Sequence, residues 1–158
     1  MPNWCYNSVT LHHDSKEVID AFEAELKKGD DAQPLNHLRP NPAGEWSYDW
    51  SVSNWGTKWD VSPMDYDRES DNVILMHFDS AWSPPVTAYE KLVEQGFEVY
   101  ATYYEPGMAY AGVWDNGNDD YYNLGDMNSV DAKHQLPQEL DEAYGISDSM
   151  AEWEAENE

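Results

Sequence analysis

One cysteine, Cys5, among 158 residues leaves no route to an intrachain disulfide and removes every cysteine-based zinc site. Basic residues are also scarce. Eight Lys and Arg stand against 32 Asp and Glu, a formal net charge of -24. A surface this negative repels phosphate backbones and anionic membranes, so ordinary binding to DNA or RNA and attachment to acidic lipid are disfavoured. No apolar run approaches the length of a bilayer span. The start, Met1-Pro2-Asn3-Trp4, has neither the basic nor the apolar segment of a signal peptide, and the chain reads as soluble and cytoplasmic. Nucleotide fingerprints are missing too: there is no Walker lysine loop and no G-x-G-x-x-G after a strand.

Aromatic residues are abundant, with 11 Tyr and 8 Trp, and they supply the bulk that a modest aliphatic content does not. Four of the tryptophans, Trp46, Trp50, Trp55 and Trp59, fall within residues 46–59 beside Lys58. A tryptophan offers a large apolar face and one N–H donor, so such a cluster either anchors a core or lines a recognition surface. The acidity has three readings: solubility or a saline environment, attraction to a basic partner, and imitation of nucleic-acid charge.

Alternation over Tyr6–His12 predicts a first strand. Asp14 lies three residues before Glu17, the spacing of a capping box, and opens a helix whose apolar face is Val18, Ile19, Phe22 and Leu26. Residues 32–44 read as an irregular connection. Val52–Asn54 and Thr57–Val61 read as short strands around Gly56, with Trp59 turned inward and Lys58 outward. Asn72–Ser80 carries a nearly continuous apolar run, as a central strand does. Ser83 and Pro84 supply an N-cap and a first helical position for a helix with Val86, Tyr89, Leu92 and Val93 on one face. Phe97–Tyr104 and Ala109–Trp114 are further strands, and Asn116-Gly117 is a hairpin turn to a return strand over 120–124.

The order is strand, helix, strand, strand, helix, strand, with an added hairpin. It predicts an α+β, ferredoxin-like βαββαβ antiparallel sheet with helices on one face, over residues 1–130. Residues 131–158 form an acidic amphipathic helical tail, either docked or mobile, that carries no base from Glu139 onward.

With these pieces in order, the chain resembles the YubB ferredoxin-like domain family, small proteins of phages and plasmids. The resemblance rests on Met1-Pro2-Asn3-Trp4-Cys5-Tyr6-Asn7, on Tyr48-Asp49-Trp50 and Asn54-Trp55-Gly56-Thr57-Lys58-Trp59-Asp60, on Phe78-Asp79-Ser80-Ala81-Trp82-Ser83-Pro84-Pro85, and on Glu105-Pro106-Gly107 with Ala111-Gly112. It covers residues 1 to about 115. It implies the ferredoxin-like topology and a mobile-element origin, without an iron–sulfur cluster, and it carries over no catalytic residue.

Candidate chemistry is sparse. His12, His13, His37, His77 and His134 form no chelating pattern, and Asp115–Asp120 fails the EF-hand arrangement and reads as an acidic turn. Asp65-Tyr66-Asp67 reads as a solvated loop. No nucleophile–base spacing favours an enzyme, and no cofactor or metal is expected. Two binding readings remain. In the leading one, a non-enzymatic accessory protein engages a basic host protein in the host cytoplasm. It does so through tail residues Glu139, Asp141, Glu142, Asp148, Glu152, Trp153, Glu154 and Glu156, as a nucleic-acid mimic that inhibits a defence or nucleic-acid-processing factor. In the other, a tryptophan-lined pocket of Asn3, Trp4, Asn7, Trp55, Lys58, Trp82 and Tyr104 holds a nucleotide, nucleobase or sugar. Self-association through a sheet edge is a further possibility.

Overall fold

The computed structural model describes residues 3–157. The chain is α+β, as expected. Six antiparallel strands form one sheet in the order β2-β3-β1-β4-β5-β6. They are β1 (Trp4–His12), β2 (Pro63–Arg68), β3 (Val73–Ala81), β4 (Glu98–Glu105), β5 (Tyr110–Asp115) and β6 (Asn118–Asn123). Asn116 and Gly117 both hold positive φ, 50° and 112°, which is the backbone a tight β5–β6 hairpin requires.

Register divides the side chains cleanly between two faces. On the first face, Val9 lies beside Met76 and Ala101, and Leu11 beside Ile74 and Val99. Helices α1 (Lys16–Leu26) and α4 (Val86–Glu94) close this face, and Ile19, Phe22, Leu26, Tyr89 and Leu92 join one buried cluster with it. Arg68 locks the β2–β3 turn to α1 through Asp20 at 2.9 Å and Glu23 at 3.0 Å.

On the second face lie Tyr6, Tyr104, Ala111 and Tyr122 in register, followed by Ser8, Thr102 and Val113. Three short helices pack there: α5 (Ser129–Gln135), α6 (Gln138–Tyr144) and α7 (Ile146–Glu156). Ala132, Leu136, Leu140 and Ile146 bury against Ala111 and Leu124, and the Tyr144 hydroxyl donates to the Thr102 carbonyl at 3.0 Å. The tail is therefore docked. Helices cover both faces of the sheet, because the tail helices carry an apolar stripe that β4–β6 leave room for.

The structure departs from the sequence reading in the tryptophan segment. Residues 48–54 form a helix, α3 (Tyr48–Asn54), where Val52–Asn54 was expected as a strand; Ser47 caps it by accepting from the Trp50 N–H. Residues 57–59 are bends and 60–61 have no regular structure, where Thr57–Val61 was expected as a strand. Thr57 and Val61 do turn inward, but Trp59 is only half-buried. The second strand comes later, where Asp65-Tyr66-Asp67 was expected as a loop, because β3 supplies a pairing edge that the local composition does not announce. Within residues 32–44, expected as an irregular connection, Pro34–Leu38 forms one more helix, α2, started by Pro34. The expected caps also shift by one or two residues. Ser15 precedes α1, and Pro85 precedes α4 because Ser83 is used elsewhere.

Candidate functional site

Residues 3–7, 54–60, 78–85 and 105–112 meet at one end of the sheet, and most of them hold loops together. Asn7, buried on β1, donates to the Cys5 carbonyl at 2.9 Å and to Ser80 Oγ at 2.8 Å. Ser80 Oγ donates to the Ser83 carbonyl at 2.6 Å, and Ser83 Oγ to the Gly56 carbonyl at 2.7 Å. Thr57 Oγ1 reaches the Ala81 carbonyl at 2.9 Å. Glu105 is fully buried, and its carboxylate accepts the N–H groups of Gly107 and Met108 at 2.7 and 2.8 Å. Asp60 accepts from the N–H groups of Leu35 and Asn36, both at 2.9 Å, and so satisfies the open start of α2. Buried polar groups this fully bonded specify a fold.

Cys5 sits inside this network with no exposed surface. Burial, helped by the nearby Glu105 charge, pushes its thiol up to about 12, so it is a packing group and not a nucleophile.

The small-ligand candidates separate into three groups. Asn7 is bonded within the core and offers a ligand no surface; Trp55, 5% exposed with its indole N–H on the Arg39 carbonyl at 3.0 Å, lines a separate hollow of about 230 Å³ with Trp46 and Asp60, which none of the other candidates lines. Asn3 packs over Gly107. Lys58 and Trp82 come together, lining a hollow of about 310 Å³ with Tyr48, Val52 and Thr57. Lys58 forms no ion pair among the described residues, and its Nζ sits 4.5 Å from the centroid of the Trp59 ring. Trp82 has a φ of 70°, unusual for a bulky residue. It is held there by its N–H on the Asn3 carbonyl at 2.8 Å and by the Tyr110 hydroxyl on its own carbonyl at 2.7 Å. Trp4 lies 6.2 Å from Trp59, whereas Tyr104 lines a different hollow, beside Trp153. Tyr48 and Val52 were missed as site residues. Their spacing of four on a helix was the available signal, and the strand reading concealed it.

The tail candidates also divide. Asp141 accepts both the N–H and the hydroxyl of Ser147 at 2.7 Å, tying α6 to α7 across Gly145, which holds a φ of 62°. Glu154 accepts the N–H and hydroxyl of Ser129 at 2.8 and 2.7 Å, tying α7 to the start of α5. The Ser129 hydroxyl, then its N–H, holds the Glu154 carboxyl below the usual glutamate range. Glu142 takes a hydrogen bond from Gln138 at 2.8 Å. Glu139, Asp148, Glu152 and Glu156 are exposed, and Trp153 is 65% exposed beside them. A further hollow of about 290 Å³ opens there, lined by Tyr104, Pro106, Met127, Met150, Trp153 and Glu154. It joins residues far apart in sequence, and no spacing foretold it.

Among the described residues, no three His, Cys, Asp or Glu side chains converge to hold a metal ion, and no helix is long and apolar enough to cross a membrane. Fold and site together define an α+β protein with a structural polar network, several aromatic hollows and an acidic helical layer. No family model matches the chain, and no curated protein matches it. Among solved structures it is similar to the protein api92 from Yersinia pseudotuberculosis, of the DUF1281 family, at 24% identity and a TM-score of 0.37. That similarity covers 61% of this chain and 36% of the api92 chain, so this chain spans about a third of that protein's length.

Proposed function

We propose that this chain is a non-enzymatic accessory protein of a phage or other mobile element that binds a basic host protein in the host cytoplasm. Its mode of action is to occupy a nucleic-acid site on a defence or nucleic-acid-processing factor. The observation that carries the reading is the placement of charge. Lys16, Lys28, Arg68 and Lys91 are tied to acids on α1, the loop after it, the β2–β3 turn and α4. Helices α6 and α7 on the opposite face contain no base at all. Beside them α5 carries Lys133, and the acids of α6 and α7, none of them in an ion pair among the described residues, steer a basic surface toward the molecule.

The accompanying fold reading is a ferredoxin-like βαββαβ core of β1, α1, β2, β3, α4 and β4, with β5–β6 as the added hairpin. It is supported by the neighbour order β2-β3-β1-β4 with every pairing antiparallel. The YubB resemblance over residues 1 to about 115 is what supports the mobile-element origin.

The test is affinity capture from host lysate at low ionic strength, with wild-type protein and a triple variant, Asp148→Asn, Glu152→Gln and Glu156→Gln. Asp141 and Glu154 are left intact because they hold the helices together. Wild type should retain a basic protein that elutes with salt, and the variant should lose it. Equal retention by both, or no basic protein on either, refutes the proposal.

A second reading has its own observation, Lys58, in no ion pair among the described residues, lining a hollow of about 310 Å³ together with Trp82. Here the hollow takes a small planar anion. AMP should quench tryptophan fluorescence in the wild type but not in Lys58→Ala of unchanged circular dichroism. Quenching that persists in the variant eliminates this reading.

A further inference from the structure

We infer that the basic partner is gripped by an arginine-bearing segment laid along the aromatic row of the second sheet face, with the hollow beside Trp153 as anchor. This rests on the acidic-docking proposal and assigns it a site. The row is continuous. Trp59 lies 6.2 Å from Trp4, Trp4 and Tyr6 share one face of β1, and Tyr6 lies 6.2 Å from Tyr104. Tyr104 and Trp153 then line the same hollow. Trp4, Tyr6 and Trp153 are 41%, 42% and 65% exposed, a large aromatic area to leave in water.

The occupant follows from charge and from a precedent within the chain. Lys58 already places its ammonium 4.5 Å over Trp59, so one end of the row holds a cation on an aromatic face. At the far end α7 contains no base, and among the described residues no cation sits over Trp153. Exposed Glu152 and Glu156 lie one and three residues from Trp153 on α7, and Asp79 faces Tyr6 across the β1–β3 pair. Glu154 in the wall of the hollow has both oxygens engaged by Ser129, so it contributes a fixed negative field and not a mobile arm.

Arginine fits this environment better than lysine. Its planar, weakly hydrated guanidinium stacks on indole while its in-plane donors reach carboxylates. Met127 and Met150 give the hollow an adaptable lining for an apolar neighbour of that arginine. Aromatic sheet faces also stack nucleobases, but a net charge of -24 opposes a phosphate backbone.

Calorimetric titration at low salt tests the inference with four probes: an Arg-Leu heptapeptide, its Lys-Leu and Glu-Leu counterparts, and a single-stranded oligothymidine. The Arg-Leu peptide should bind wild type more tightly than the Lys-Leu peptide, and the other two should not bind. Trp153→Ala should weaken the arginine peptide about tenfold, the loss of one desolvated cation–π contact. Tyr121→Ala, 56% exposed but on the other face of the sheet, should leave affinity unchanged. If Trp153→Ala binds as wild type does, the assigned site is refuted while salt-sensitive peptide binding still upholds the acidic-docking proposal. Equal affinity for the two basic peptides overturns the arginine preference. If neither basic peptide binds, or oligothymidine binds best, both the site and the docking proposal fail.

Discussion

Replacing Gly112 with alanine tests the packing that shapes the motif end of the sheet. Gly112 on β5 lies beside Tyr103 on β4, and a methyl built on its backbone falls inside the Tyr103 phenol and 2.7 Å from the Asp120 carbonyl oxygen. The ring cannot simply swing aside. It is 2% exposed, and its hydroxyl donates to Asp119 Oδ1 at 2.6 Å. Overpacking of this kind costs about 1–3 kcal/mol. Breaking the phenol–carboxylate bond adds about 1.5–3 kcal/mol. Alanine's lower backbone entropy in a strand returns about 0.5–1 kcal/mol. The balance is a loss near 3 kcal/mol, or a fall in Tm of about 6–12 °C for a chain of this size. Urea unfolding followed by circular dichroism measures it. In a Tyr103→Ala background the same substitution should cost about half as much or less, since only the Asp120 contact remains. A Gly112→Ala protein within about 0.5 kcal/mol of wild type would refute the packing argument, because that is the range of an unconstrained surface site.

Three further outcomes follow from the docked tail and the charge. Leu140→Ala, at a fully buried position, should cost about 2–5 kcal/mol and speed amide exchange in α5–α7 while leaving β1 and β3 protected; equal loss of protection in those strands would contradict it. Glu154 and Glu25 have folded values held below 4.5, Glu154 chiefly by the Ser129 hydroxyl and Glu25 chiefly by the Gln33 N–H. Their contribution is complete above the unfolded value and lost as pH falls through the lower folded value, so carboxyl NMR titrations should give midpoints below 4.5. Moving from 0.01 to 1 M salt cuts the screening length from about 30 to about 3 Å, so Tm at pH 7 should rise as self-repulsion is screened. A falling Tm would show that the ion pairs of α1 and α4 outweigh the repulsion.

The strands that pair on both sides were legible because their residues carry the pattern themselves: β3 is nearly continuous apolar sequence, and β4 alternates around Val99, Ala101 and Tyr103. The edge strand β2 was not, since Asp65 and Asp67 are strand residues only because β3 lies alongside. Helix α3 was hidden by Val52 and the tryptophans, whose bulk suits a pleated surface; Ser47 as cap and the spacing of Tyr48 and Val52 spoke for a helix. The acidic surface could be read directly from composition. What composition could not say is which acids are free, because Asp141 and Glu154 are consumed by serines that only the folded chain brings to them. The hollow beside Trp153 was illegible for the same reason, its walls coming from β4, the β6–α5 connection and α7.

Cys5 turns a composition that excludes disulfides into an experimental advantage. It lies in β1, flanked by β3 and β4, with no surface and a thiol pushed up to about 12. A thiol reagent therefore meets it only when the motif end of the sheet parts, and each molecule carries a single reactive group. The rate of its modification is a clock for that opening. Run with and without a bound partner, it reads ligand-induced stabilisation from the native chain, with no added label and no engineered site.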